Sequence, residues 1–248
     1  MIPKMTTRWY SHRVQEEILA ARWGDAGIPV LLYPTAGGDA EECERFKMMH
    51  VLAPLLEGGK VRIYSVDSAA GRLWTDGETD GVHRAWFQNR FDDYVVHELV
   101  PAIRTDCKDP AAEIVTAGAS LGAFNALASV CRHPDLFKLG ICMSGTFDFT
   151  RWMTDEHTLD FHYASPKHFL PTLPEGPQLQ ALRKRFVLLA TGTGDYEAPK
   201  ESWQMGELLG ARGVPNRVDL WDDYRHDWTT WREMLPKYLE RYVNEGLV

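Results

Sequence analysis

Gly118-Ala119-Ser120-Leu121-Gly122 sets a lone serine between two glycines, a G-x-S-x-G pattern. A serine on a sharp turn can project its hydroxyl clear of the backbone and act as a nucleophile. The neighbouring chain must then pass close by, so residues two places away on either side must be small. The pattern recurs by chance in about one chain in ten of this length, so its partners carry the weight. A serine nucleophile needs a base, and the base needs an orienting carboxylate. His226 follows a short loop, Asp222-Asp223-Tyr224-Arg225, after the last expected strand. Asp195 closes the turn Thr191-Gly192-Thr193-Gly194-Asp195 after another. In that arrangement His226 takes the Ser120 proton and returns it to a leaving alcohol, while Asp195 orients the imidazole and stabilises its cation. Each has a bland counterpart. Ser120 could be structural in a glycine turn, His226 a solvated loop histidine, and Asp195 a turn-former with Glu197, Asp222 and Asp223 as rivals. Asp227 is expected to cap the final helix.

Acyl chemistry on a serine also requires donors for the oxyanion. The Leu121 backbone N–H, directly after the nucleophile and at the positive end of a helix, is one. The second should come from the loop Pro34-Thr35-Ala36-Gly37-Gly38-Asp39, by Ala36 or Gly37; backbone amides are indifferent to side-chain identity. Gly37, Trp74, Trp152 and Phe161 are candidates for a substrate pocket, with core or lid packing the other reading of the aromatic three.

The elements around these residues supply their placement. Ile114 and Val115 are β-branched and suit a buried strand before Ser120. Leu121, Phe124, Leu127, Ala128 and Cys131 recur at spacings of three and four, the stripe of an amphipathic helix. The continuous apolar run at 28–33 reads as a strand buried on both faces, and residues 61–66, the apolar 139–144, 186–190 and 217–221 read as further strands. Helices are expected over 41–57, broken or bent near Pro54, over about 91–103, over 202–212, and over 228–242 with a kink at Pro236. Residues 6–23 read as one or two edge strands, with 15–22 alternatively helical. Residues 67–86 read as a polar loop, and 147–183, which lack a clean period, as a lid. Strands alternating with helices predict a mostly parallel sheet covered on both faces, with ligands outside the carboxyl ends of the strands. Ser120, Asp195 and His226 all follow strand ends, and the order Ser…Asp…His is that of the α/β-hydrolase fold. Residues 1–248 read as one domain.

Composition bounds the alternatives. At 248 residues, 44% hydrophobic and 25% charged, the chain has the make-up of an ordinary globular protein with a sizeable core. A net charge of −8, with no Lys/Arg cluster, argues against a nucleic-acid partner. No run approaches the roughly 20 apolar residues of a membrane span, and the N-terminus lacks a secretory h-region. Cys43, Cys107, Cys131 and Cys142 show no C-x-x-C spacing and read as free thiols suited to a reducing cytoplasm. Neither metal-ligand spacing nor a dinucleotide fingerprint occurs, so no metal or cofactor is implied. No oligomer is predicted.

G-A-S-L-G-A-F-N-A-L, R-H-P-D-L-F, L-L-A-T-G-T-G-D-Y-E and R-H-D-W-T-T-W-R-E-M-L-P resemble the putative-esterase branch of the α/β-hydrolases, from about residue 28 onward. That branch includes S-formylglutathione hydrolases, feruloyl, acetylxylan and enterochelin esterases, and mycolyl transferases. The resemblance implies Ser120 as nucleophile, Asp195 as acid, His226 as base, and Ala36 and Leu121 as oxyanion donors. It implies a small-molecule ester as substrate and hydrolysis through an acyl-enzyme. The alternatives are acyl transfer by the same residues, or a silent binding protein, which should have lost a triad member. Pro34-Thr35-Ala36-Gly37-Gly38 departs from the H-G or S-G of many members. The G-H-S-M-G-G of S-formylglutathione hydrolases is absent.

Overall fold

Every apolar run anticipated above is a strand of one sheet in the computed structural model, which describes residues 2–153 and 157–246. The strands are β1 (Lys4–Ser11), β2 (Glu16–Trp23), β3 (Ile28–Tyr33), β4 (Val61–Val66), β5 (Ile114–Ala119), β6 (Phe137–Met143), β7 (Phe186–Gly192) and β8 (Asn216–Trp221). Their order is β1-β2-β4-β3-β5-β6-β7-β8. β1 and β2 form an antiparallel hairpin, Lys4 opposite Trp23 and Ser11 opposite Glu16. β2 also runs against β4, and every pairing from β4 to β8 is parallel. The helical alternative for 15–22 is therefore excluded. In β2 the side chains alternate between faces, with Ile18, Ala21 and Trp23 buried.

β5 is buried at all six positions, as its β-branched and small residues allow. Two apolar clusters cover the sheet. One packs Leu31, Val66, Ile114 and Val187 with Tyr94, Leu99, Leu127 and Val130. The other packs Val30, Ile63, Val115, Ile141 and Leu188 with Met48, Leu52, Trp231, Leu235 and Tyr238. A central sheet, mostly parallel and covered by helices on both faces, is the α/β-hydrolase architecture.

The helices are α1 (Glu42–Arg45), α2 (Met48–Val51), α3 (Ala53–Glu57), α4 (Ala69–Thr75), α5 (Gly81–Tyr94), α6 (Val100–Cys107), α7 (Leu121–Arg132), α8 (Leu159–Ala164), α9 (Pro166–Phe169), α10 (Pro177–Leu182), α11 (Pro199–Ala211) and α12 (Trp228–Glu245). Two expectations change. The helix over 41–57 is broken next to Pro54, between α2 and α3, and a second time where Lys47 turns left-handed at φ 63°. The polar loop over 67–86 contains α4 and the start of α5, which Asp80 caps by accepting from the His83 N–H at 2.9 Å. α12 runs unbroken through Pro236, with Asp227 as its cap. All four cysteines are free thiols.

The irregular stretch 147–183 folds as short helical turns; its residues 154–156 lie outside the described residues. Its first turn is pinned by carboxylates. Glu201 accepts from the Phe147 and Asp148 N–H groups at 2.5 and 3.0 Å. Asp148 in turn accepts from the Thr150 amide and hydroxyl and from the Lys167 ammonium. Partial burial alone would raise the Asp148 pKa, but Lys167 and Thr150 outweigh it and bring it down to about 2. A depressed carboxylate stabilises the fold fully above the ordinary aspartate value of about 3.9 and loses that contribution as pH falls toward the folded value. Asp148→Asn should therefore lower Tm at pH 7 by about 2 °C. In thermal melts the gap to the native protein should narrow steadily from pH 5 to pH 3. A gap independent of pH would assign the loss to packing.

Candidate active site

Ser120 sits between β5 and α7 at φ 57°, ψ −121°, a backbone conformation that a non-glycine residue rarely adopts. The turn is held on both sides. The Ser120 N–H donates to the Met143 carbonyl at 3.0 Å, and its own carbonyl accepts from the Ala123 and Thr146 N–H groups at 3.1 and 3.2 Å. The flanking glycines have steric reasons. A Cβ on Gly118 would lie 2.2 Å from the Gly122 carbonyl oxygen, and one on Gly122 would lie 2.4 Å from that of Pro34. The second contact brings the loop after β3 against the start of α7.

That loop is braced from beneath. The buried Glu42 carboxylate accepts from the Thr35 N–H at 2.8 Å and the Thr35 hydroxyl at 2.6 Å. The Gly38 carbonyl accepts from the Ser68 N–H at 3.0 Å. Asp67 ties the same region to β2, accepting from the Ala40 and Leu19 N–H groups at 2.9 Å each. Ala36 is half-buried within this fixed loop and Gly37 is exposed at its tip. Leu121 is the first residue of α7, so its N–H has no partner within the helix.

His226 lies beyond β8, its side chain 24% exposed. The loops after β7 and β8 interlock. The Gly194 N–H donates to the Tyr224 carbonyl at 2.8 Å, the Thr193 N–H to the Trp221 carbonyl at 3.1 Å, and the Asp223 N–H to the Thr193 hydroxyl at 2.9 Å. The carboxylate brought to the imidazole is that of Glu197, not that of Asp195. Glu197 Oε2 is 3.8 Å from His226 Nδ1, and the Glu197 side chain is 1% exposed. The Asp195 side chain is 64% exposed and pairs outward with Arg225 at 3.3 Å. Asp195 serves His226 through its backbone instead, its carbonyl accepting the His226 N–H at 3.0 Å. Between the two acids Tyr196 takes a left-handed conformation, φ 64°. That turn separates an outward Asp195 from an inward Glu197. The other rivals, Asp222 and Asp223, are exposed.

Burial alone would raise the Glu197 pKa. The His226 imidazole, the Ser144 hydroxyl at 2.5 Å and the Thr191 hydroxyl at 3.0 Å outweigh it and hold the carboxyl below the usual glutamate range. The 3.8 Å separation from Nδ1 is longer than a formed hydrogen bond.

Leu121 shares an apolar cluster with Trp74, Phe124, Phe149 and Phe161, against which Ala36 and Trp152 pack. Trp74 and Phe161 are each 1% exposed, so they back this region from within; only Trp152 of the three predicted aromatics reaches the surface, with Arg151 stacked on it at 4.2 Å. Trp74 is fixed by its indole N–H, which donates to Gln88 Oε1 at 3.0 Å. A cleft of about 610 Å³ lies elsewhere, between the β1–β2 hairpin and α6, lined by Met5, Trp9, Arg22 and Ile103. Among the described residues no group of His, Cys, Asp and Glu is placed to hold a metal ion, and no helix is long and apolar enough to cross a membrane.

Comparison with solved structures supports the fold. A ferulic acid esterase superposes with a TM-score of 0.75 at 17% identity, covering 98% of both chains. An S-formylglutathione hydrolase from Agrobacterium tumefaciens gives 0.74 at 12% identity, over 98% of this chain and 95% of its own. A fluorophosphonate-binding serine hydrolase of Staphylococcus aureus gives 0.66 at 14%, over 98% and 99%. No curated protein matches in sequence. The profile of the family described as putative esterase matches residues 58–242, which span β4 through most of α12. With three quarters of its length matched and the α/β-hydrolase sheet complete, the chain belongs to the putative esterase family and is an ester hydrolase.

Proposed function

We propose that Ser120, His226 and Glu197 form a catalytic triad that cleaves a carboxylic ester through an acyl-enzyme. The observation that carries this reading is the Glu197 carboxylate, buried and facing His226 Nδ1, on the same sheet edge as the strained Ser120 turn. His226 removes the Ser120 proton through Nε2 as Oγ attacks the ester carbonyl. The negative oxygen of the tetrahedral intermediate is received by the backbone N–H groups of Leu121 and Ala36. His226 then gives its proton to the leaving alkoxide, and water, deprotonated by His226, releases the acid from Ser120. Glu197 stabilises the imidazolium formed in each half. Gly37 and Trp152, at the surface of the oxyanion side, are the predicted pocket residues that meet substrate, with Trp74 and Phe161 as the wall behind them.

A fluorophosphonate probe tests the assignment directly. The native protein should take up one equivalent, and peptide mapping should place the adduct on Ser120. An adduct on another serine, or none while ester turnover persists, would overturn the reading.

A further inference from the structure

Ser144 is the first residue after β6, 3% exposed, with φ 47°. A side chain there costs about 1 kcal/mol relative to glycine, which adopts that conformation freely. Its hydroxyl makes two hydrogen bonds of opposite sense. It donates to Glu197 Oε1 at 2.5 Å and accepts from the Trp231 indole N–H at 2.9 Å. An indole N–H only donates and a carboxylate only accepts, so the single Ser144 proton is directed onto Glu197. Charge-assisted chains of this kind reinforce one another. With Oε1 occupied, Oε2 is left to Thr191 at 3.0 Å and to His226 at 3.8 Å.

The same indole touches the other partner. The rings of Trp231 and His226 meet edge to face, centroids 5.2 Å apart at 86°. Trp231 sits in the first turn of α12, which is fixed where it matters. Asp227 accepts from the Thr229 and Thr230 N–H groups at 2.8 and 3.0 Å, and its carbonyl accepts the Trp231 N–H at 3.2 Å. Trp228 packs on Trp231 at 5.4 Å and stacks on Phe46 at 4.9 Å. One buried side chain from the last helix therefore bears on both members of the acid–base pair.

We propose that Ser144 and Trp231 are positioning residues for the reaction. Trp231 orients the Ser144 hydroxyl, Ser144 fixes the rotamer of Glu197 with Oε2 toward His226, and the Trp231 ring limits the tilt of the imidazole. This rests on the reading of Glu197 and His226 as acid and base. Neither positioning residue touches substrate.

Ser144→Gly removes the hydroxyl while relieving the backbone. With p-nitrophenyl acetate, kcat should fall about 10-fold or more with KM changed less than about two-fold, and the rate of fluorophosphonate labelling should fall in parallel. Circular dichroism and Tm should stay near native. Trp231→Phe keeps a ring against His226 and loses only the N–H; it should show a smaller fall in kcat of the same kind. If Ser144→Gly fails to fold, this second variant carries the comparison. The decisive measurement is a double-variant cycle on labelling rate. In a Glu197→Gln background, Ser144→Gly should add less than about two-fold, because the hydroxyl acts through the carboxylate. Losses that multiply across the two variants, or a Ser144→Gly protein with native kcat, would overturn the proposal. A Glu197→Gln protein with native kcat would overturn the triad reading as well, and so separates the two failures.

Discussion

Ser120→Ala should lower kcat/KM on p-nitrophenyl acetate by about 10⁴-fold or more and abolish fluorophosphonate labelling, because the proposed nucleophile is gone. The fold should survive. The methyl of the introduced alanine makes the same demand on the backbone, and Ser120 is only half-buried. A companion variant separates strain from chemistry. Ser120→Gly should be equally inactive yet more stable than Ser120→Ala by about 1 kcal/mol, since φ 57°, ψ −121° is open to glycine and strained for alanine. Activity would then be lost equally in both variants while stability follows the Cβ alone, the signature of a strained backbone at this position. Equal stability of the two variants would mean that the surrounding hydrogen bonds to Met143, Ala123 and Thr146 relax the turn.

How much of this was legible depends on how local each feature is. The Ser120 turn was readable because its causes are local: a β-branched strand before, a three-to-four apolar stripe after, and glycines where chain meets chain. The central strands β3, β5, β6 and β7 were readable because burial on both faces makes their runs apolar. The start of α5 was missed for a physical reason. Arg84, Gln88 and Asp92 of α5 are buried polar residues, partnered by Asp76, Asn125 and His133, so no apolar stripe marks the helix. Within the Glu41–Glu57 segment, periodicity was present, but a left-handed Lys47 divides it.

The carboxylate that faces His226 was harder to read because the choice is made by one backbone turn. Asp195 and Glu197 are two residues apart, and either could serve an imidazole. Tyr196 at φ 64° sends them in opposite directions, and nothing in the Asp-Tyr-Glu triplet announces a left-handed tyrosine. Ser144 and Trp231 had no sequence signal at all. Their meeting joins residues 87 positions apart and exists only once α12 is docked on the sheet.

Glu197→Gln and Asp195→Asn should therefore give opposite results. Both changes remove one negative charge and keep side-chain size. Glu197→Gln should lower kcat by about 10³- to 10⁴-fold with little change in KM. A carboxylate accepts the Nδ1–H of the neutral imidazole, which leaves Nε2 free to take the Ser120 proton. A glutamine can present its amide N–H to Nδ1 instead, which places the imidazole proton on Nε2 and disables the base. Its carbonyl can stabilise the imidazolium only as a dipole, without the full charge. Asp195→Asn breaks an outward pair with Arg225 between side chains 64% and 67% exposed, an interaction largely screened by solvent. Its backbone carbonyl, which holds the His226 N–H, is untouched, so kcat should stay within about three-fold of native. Glu197→Asp adds a graded test. It keeps the charge but withdraws it by one methylene, so its activity should fall between native and Glu197→Gln. Measured kcat values in the reverse order, with Asp195→Asn the slower protein, would return the acid's role to Asp195 and require the Tyr196 turn to reorganise when substrate binds.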